Sequence, residues 1–242
     1  MNTSSSARPR FSAGIFAAGE GSRLQAAFPG VLKPLLPIAG RPLIEWTASS
    51  LIDAGADEIF VLLNSKGRAA RTALRRRFPG KRWIFFEADT RSSWDSFRIV
   101  AGALAESADR FLISTVDALI PAEEIARFAS PAHGVSLALT SFVEDEKPLW
   151  ADLDERGFIS ALGPDAVDKR FVTCGLYGVT RELARSMYAA ETHASLRDYW
   201  RSLVRSGVPV RGLPISKTID VDRPEDIATA EAFLSSREAR SC

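Results

Sequence analysis

Directly after a short apolar run at 13–17, the segment Ala17-Ala18-Gly19-Glu20-Gly21-Ser22-Arg23-Leu24 sets two glycines and a hydroxyl where an anion can be wrapped. Glycines let backbone N–H groups come close to a phosphate, and Ser22 adds a donor. Lys33 follows Arg23 by ten residues. Arg23 can fork across phosphate oxygens while Lys33 acts as a point charge, so the pair suits a reaction that gathers negative charge in one pocket. Such a reaction needs a divalent ion, and Mg²⁺ borrows only one or two protein carboxylates beside substrate phosphates. Asp117 closes the apolar run 111–116, at the carboxyl edge where open parallel sheets bind ligands. Asp220 and Asp222 share one face of an extended stretch. Asp222 is the preferred second ligand because it immediately precedes the helix expected from Pro224; its other reading is the N-cap of that helix.

Two familiar phosphate motifs do not fit this loop. It lacks the Gly-Lys-Ser/Thr ending of a P-loop, and a dinucleotide fingerprint would want a small residue at position 24, where this chain has Leu24. The elements that must position the loop come from the alternation of apolar runs with amphipathic stretches. Strands are expected at 13–17, 58–63, 83–86, 110–116, 135–142, 171–179 and 208–215, and helices at 42–53, 68–77, 181–190, 196–205 and 223–236. Pro42 suits a first helical position and Gly55 a stop. The five arginines of 68–77 are read as a solvated face. Strand-like 149–153 and 158–162, joined by the turn Asp154-Glu155-Arg156-Gly157, form an inserted element, and 143–170 is read as a lid or acceptor-binding insertion. Residues 1–10 read as a flexible tail, and 11–242 as a single domain of three layers.

The loop has a continuation in Lys33-Pro34-Leu35 and Gly40-Arg41-Pro42-Leu43-Ile44. With these pieces in order, the N-terminal block resembles the nucleotidyltransferase superfamily of sugar-phosphate nucleotidyltransferases and MobA-like NTP transferases, whose hallmark is A-[AG]-G-x-G-[ST]-R-[LM], then K-P-[LM], then G-[KR]-P-[LM]-[IV]. The resemblance implies a Rossmann-like α/β/α fold with a mostly parallel mixed sheet and a small β insertion. It implies a Mg²⁺-dependent transfer of a nucleotide from an NTP to a phosphorylated acceptor, a sugar 1-phosphate, with release of pyrophosphate. Arg23 and Lys33 would be catalytic. Ala17, Ala18, Gly19, Gly21 and Ser22 would bind the nucleotide, with Ser92 and Ser93 near a helix start supplying hydroxyls or N–H groups to the base or ribose. Ser92 and Ser93 also suit helix capping. Asp117 and Asp222 would hold the metal, although the family's usual glycine before the first aspartate is Val116 here. The segment 219–227 matches the family's closing D-[IV]-D-x-P-E-D.

Two family features are altered. The Gly-Thr turn that precedes the third helix in many members is replaced by Glu87-Ala88-Asp89-Thr90-Arg91-Ser92-Ser93, which leaves UTP, CTP, GTP and dTTP open. The acceptor strand pattern N-G-[IL]-Y becomes Cys174-Gly175-Leu176-Tyr177, in which Gly175 would let an acceptor approach the backbone. Lys169, with Glu144 and Lys147, is a candidate for the acceptor phosphate, with placement on the open surface as the other reading of each. Rival readings are the same chemistry on a non-sugar acceptor such as phosphocholine or a molybdopterin-type cofactor, and a nucleotide-binding regulatory protein without turnover. The cofactor enzymes of this superfamily place their lysine nearer the arginine than the step of ten seen here.

Composition narrows the field further. Thirty-one Lys and Arg against 30 Asp and Glu leave a net charge of +1, so no global field draws the chain to nucleic acid or anionic lipid. Apolar runs are far shorter than the roughly 20 residues that span a bilayer. Two cysteines and two histidines give neither a disulfide framework nor zinc spacing, and a reducing cytoplasmic setting is expected. Cys174, His133 and His193 lack the partners of a catalytic nucleophile. Trp94 and Trp150 are expected to fill core.

Overall fold

The computed structural model describes residues 10–19, 21–142, 148–189, 193–216 and 218–241, the side chains of 238–241 excepted. Glu144 and Lys147 lie outside the described residues, as do residues 1–9 of the expected tail. Arg10 itself is anchored, with its guanidinium 2.7 Å from the Asp57 carboxylate.

The elements run β1 (Phe11–Ala17), β2 (Pro37–Ile38), β3 (Arg41–Pro42), α1 (Leu43–Ala54), β4 (Ala56–Leu63), α2 (Arg68–Arg77), β5 (Arg82–Glu87), α3 (Ser93–Ala105), β6 (Arg110–Thr115) and β7 (Ala118–Leu119). There follow α4 (Ala122–Phe128), β8 (Ser136–Thr140), β9 (Trp150–Leu153), β10 (Ile159–Leu162), β11 (Phe171–Thr180), α5 (Arg181–Ser186), α6 (Leu196–Arg205), β12 (Arg211–Pro214), β13 (Ile219–Asp220) and α7 (Pro224–Ser241). The large sheet has the order β10-β9-β11-β6-β1-β4-β5, with β8 joining β11 and β12. Its heart, β6-β1-β4-β5, is parallel, and β11 runs antiparallel beside β6.

A parallel strand covered on both faces must be apolar throughout, which is why 59–63 reads as an unbroken run. Ile59, Val61 and Leu63 enter one core with Ile44, Ala48 and Leu51 of α1 and Leu74 of α2. Phe60 and Leu62 enter the opposite core with Phe97, Val100 and Leu104 of α3 and Trp200 of α6. The period of two in side-chain direction thus divides one strand between two layers of helix. A third cluster joins Leu24, Leu36, Ile38 and Leu43 near the N-terminus to Ile219, Val221 and Ala230 near the C-terminus.

Several expectations shift at their edges. Pro42 precedes α1 as its cap residue, while Gly55 ends the helix at φ 111° as expected. α5 stops at Ser186, and α7 continues past 236 to Ser241. The strand expected at 208–215 contracts to Arg211–Pro214. The β9–β10 hairpin pairs with β11, Ala151 opposite Phe171, so the inserted element extends the main sheet. Trp94 is core, but Trp150 is only half-buried at the sheet margin, a correction to its expected place. The arginines of α2 stay largely at the surface while Ala70, Ala73 and Leu74 face inward, as the amphipathic spacing requires.

Candidate active site

The candidate residues meet at the carboxyl ends of β1 and β6. Ala17 is buried in the core at the end of β1 and fixes where the loop leaves the sheet. Gly21 sits at φ 63°, and a Cβ there would lie 2.8 Å from Lys33 Cβ, so glycine is required both by the turn and by the lysine packed against it. The next residues, Ser22–Leu24, form a short 3₁₀ turn. Leu24 plugs the third core cluster and pins that turn, leaving Arg23 half exposed beside it.

Lys33 is 8% exposed, and its ammonium occupies the point on which two carboxylates converge. Nζ donates to Asp117 Oδ2 at 2.5 Å and to Asp222 Oδ1, while Arg23 Nη1 stands 3.6 Å from the other oxygen of Asp222. Burial alone would push the lysine down, but Asp117 and Asp222 more than offset it and hold the ammonium well above its ordinary range. Burial likewise works against the Asp117 carboxylate, and the Lys33 ammonium outweighs it, so that carboxyl is held below the usual range.

The surrounding backbone explains the convergence. Thr47 of α1 donates to Val116 O at 2.7 Å, and Val221 N donates to Asp117 O at 3.2 Å across the small β7–β13 ribbon. Asp226 Oδ2 accepts from the backbone N–H groups of Asp222 and Arg223, both at 2.8 Å. That carboxylate, not Asp222, ties down the turn entering α7. Asp222 is therefore free of the capping role and directs its side chain to Lys33.

Two lobes open on either side of this cluster, with Phe16, Arg23, Ser93, Asp117 and Asp222 on the wall they share. The lobe of about 550 Å³ is bounded by Ala18, Gly19, Gly21, Ser22, Lys33 and the segment Thr90–Ser93. Ser92 both faces this lobe and caps α3, its Oγ accepting from Asp95 N at 3.1 Å. Ser93 Oγ accepts from Leu196 N at 3.0 Å and so fastens the start of α3 to the start of α6. Ser92 thus caps α3 and lines the lobe, while Ser93 stands on the wall of both lobes and fastens the two helices.

The second lobe, about 340 Å³, is walled by Phe16, Tyr177 and Trp200, with Val172, Cys174, Gly175, Arg197 and Asp220 around it. Tyr177 and Trp200 stack with centroids 5.7 Å apart at 7°. Gly175 contributes backbone to the lobe, but the direction of its missing Cβ is filled by Thr115 and by Ala118 Cβ, 2.6 Å away. Its φ of 34° and this crowding show the glycine serving the approach of the Asp117 turn. Lys169 lies exposed at φ 48° and is not among the residues that line either lobe. Trp200, Arg197 and the pairing of Asp226 with the 222–223 turn escaped the sequence reading. Asp226 was visible in the closing motif, but no local signal marks α6 as a wall of the cleft.

The carboxylates fit a divalent cation. Oxygens of Asp117 and Asp222 both accept from the Lys33 ammonium, so both already converge on a single positive charge. Among the described residues there is no group of three or more His, Cys, Asp and Glu suited to a metal, so an ion held here would complete its shell from phosphates and water. No helix among the described residues is long and apolar enough to cross a membrane.

Comparison with known proteins gives the family and the fold. The family model for the MobA-like NTP transferase domain matches residues 13–204. The bifunctional protein GlmU of Rhodopseudomonas palustris strain TIE-1 is 32% identical over 130 residues, which is 53% of this chain and 28% of that protein. GlmU of strain BisB5 is 25% identical over 241 residues, 92% of this chain and 52% of that protein. The chain therefore spans about half or less of the length of these relatives. Among solved structures, the inositol-1-phosphate CTP transferase from T. maritima superposes with a TM-score of 0.80 at 18% identity, covering 92% of this chain and 95% of that one. A UDP-glucose pyrophosphorylase complexed with UDP-glucose gives 0.76 at 15% identity, covering 94% and 99%. At such identities the superpositions speak for the fold.

Proposed function

The chain belongs to the MobA-like NTP transferase family, and from that premise we propose that it joins an NTP to a phosphorylated acceptor of the sugar 1-phosphate class, giving an NDP-sugar and pyrophosphate with Mg²⁺ as cofactor. The observation that carries this reading is the buried Lys33 ammonium, gripped by Asp117 and Asp222 where two lobes meet beside a glycine loop. One lobe takes the nucleotide and the other the acceptor, so the reacting phosphates would meet at the shared wall. Two structural neighbours of the same fold are named for CTP transfer to inositol 1-phosphate and for a complex with UDP-glucose, which is the chemistry proposed here.

In the proposed reaction an oxygen of the acceptor phosphate attacks the α-phosphorus, a new P–O bond forms, and the bond to the oxygen bridging to the β-phosphate breaks with release of pyrophosphate. Backbone N–H groups at Gly19 and Gly21 cradle phosphate oxygens, and Arg23 forks across the departing pyrophosphate. Lys33 offsets charge on the α-phosphate and the incoming phosphate. Asp117 and Asp222 hold Mg²⁺, which when bound supplies charge neutralisation and alignment of phosphate oxygens.

A second reading, the same transfer to a non-sugar phosphate such as phosphocholine, is favoured by the aromatic wall of Phe16, Tyr177 and Trp200 with Asp220 nearby, a setting that attracts an organic cation.

The test is a thermal-shift screen of ATP, CTP, GTP, UTP and dTTP with and without Mg²⁺, followed by pyrophosphate release from the shifting nucleotide with sugar 1-phosphates and phosphocholine. A metal-dependent shift and turnover that disappears in Lys33→Ala are expected. Nucleotide binding without turnover on any acceptor would favour a binding protein, and no shift with any nucleotide would sink the reading at its first step.

A further inference from the structure

The two carboxylates proposed for the metal already have a cation between them. Two donors of the Lys33 ammonium are committed to Asp117 and Asp222, and Arg23 stands at the remaining oxygen of Asp222. Two cations thus balance two carboxylates. A divalent ion arriving alone must either evict Lys33, leaving a buried ammonium without a partner, or bind next to it against its charge; both are costly. A nucleoside triphosphate changes the balance, because its phosphates offer Lys33 and Arg23 new anionic partners. The geometry allows the exchange. The stem of Lys33 rests against Gly21, in the loop that bounds the nucleotide lobe, so rotation about the bonds beyond Cβ carries the ammonium between the carboxylates and that lobe.

Building on the transferase reading of the site, we propose that Lys33 is a resident counter-ion that closes the Asp117–Asp222 pair to divalent cations in the free protein, and that an NTP opens the pair by drawing the ammonium onto its phosphates. Metal and nucleotide then bind as linked partners, each strengthening the other by the same factor. Lys33 has two positions in the cycle, first on the carboxylates and then on the phosphates. The Mg²⁺ dependence of nucleotide binding is a consequence of where the lysine starts.

The experiment titrates Mn²⁺ into the nucleotide-free protein and reads free Mn²⁺ by electron paramagnetic resonance. Wild type is compared with Lys33→Met, Lys33→Gln and the double variant Lys33→Met/Asp222→Asn, each first checked for a cooperative melt. The neutral variants are expected to bind one Mn²⁺ at least about tenfold more tightly than wild type, and the double variant to lose that gain. Mn²⁺ should also raise the melting temperature of Lys33→Gln while leaving wild type unmoved, a readout that survives poor folding of the methionine variant. Mn²⁺ binding to wild type as tight as to the neutral variants overturns the proposal, and so does failure of all of them to bind. If wild type binds Mn²⁺ tightly yet releases pyrophosphate, only the counter-ion proposal fails. The expected Mn²⁺ order without turnover on any NTP and acceptor defeats the transferase reading alone.

Discussion

Replacing Gly175 by alanine separates two explanations of that glycine. The backbone there has φ 34°, and the new Cβ would point at the Thr115 hydroxyl and come within 2.6 Å of Ala118 Cβ. Thr115 ends β6 and Ala118 begins β7, so the methyl presses on both sides of the Asp117 turn. The positive φ costs about 1–2 kcal/mol for a residue with a Cβ, and overpacking of this kind about 1–3 kcal/mol. Reduced freedom of the unfolded chain returns about 0.4–1 kcal/mol. The net loss is roughly 2–4 kcal/mol, or about 5–15 °C in melting temperature for a chain of this size. Urea and thermal melts of Gly175→Ala measure it, and the Mg²⁺-dependent nucleotide shift should weaken together with stability because Asp117 moves. A variant within about 0.5 kcal/mol of wild type would refute the packing argument. If, in addition, only the acceptor KM rose, the glycine would instead serve acceptor access to the backbone.

Other expectations concern the charge cluster and the two lobes. Asp117 is held below its unfolded pKa of about 3.9, so its contribution to stability is present above that value and lost as pH falls through the folded pKa. Lys33 is held above its unfolded pKa of about 10.4, so its contribution is complete below that value and lost as pH rises through the folded pKa. Melting temperature should therefore owe no slope to this pair between about pH 5 and 9, and Asp117→Asn should flatten the acid limb; an unchanged acid limb would count against the pairing. Trp200 is 1% exposed, and its indole N–H is buried without a hydrogen-bond partner among the described residues. Trp200→Phe removes that unpaired buried donor, which relieves about 1–3 kcal/mol, against the packing lost with the larger ring, so a urea melt should move by less than about 2 kcal/mol; a loss well beyond that would show that the indole N–H has a partner. Ser92→Ala should cost about 1 kcal/mol in a urea melt through loss of the α3 cap, and any additional loss of nucleotide affinity would measure its role at the lobe.

How much of this was readable beforehand depended on whether the cause was local. The helix expected at 196–205 is α6 to the residue, since Ser195 caps it through Asp198 N and Gly207 at φ 79° follows its end. The apolar run through 59–63 declared a strand covered on both faces. Lys33 and Asp117 were legible because a glycine loop and a strand end are signals carried by neighbours in sequence. The two-residue strands β2, β3, β7 and β13 were not, because a pair of residues has no periodicity and these form only where another segment supplies the partner. Gly175 stood out in sequence for the acceptor, but its positive φ is invisible there, and the atoms that crowd it come from residues 115 and 118. Trp200 was hidden for a similar reason, since only the fold sets α6 against β11.

The ribbon of β7 and β13, with α7 behind it, is a late clasp on an early site. The loop residue Leu24 and the segment around Leu36 and Ile38 are capped by Ile219, Val221 and Ala230, and Asp222 lies 189 residues beyond the lysine it grips. During synthesis the glycine loop, Lys33 and Asp117 therefore leave the ribosome long before Asp222 exists. A nascent chain that has not reached Ile219 holds a bare carboxylate, a half-neutralised lysine and an uncovered apolar seam. The pocket is assembled by segments made long after its loop, and a stop before Ile219 would leave most of the sheet intact while taking Asp222 from the lysine it grips.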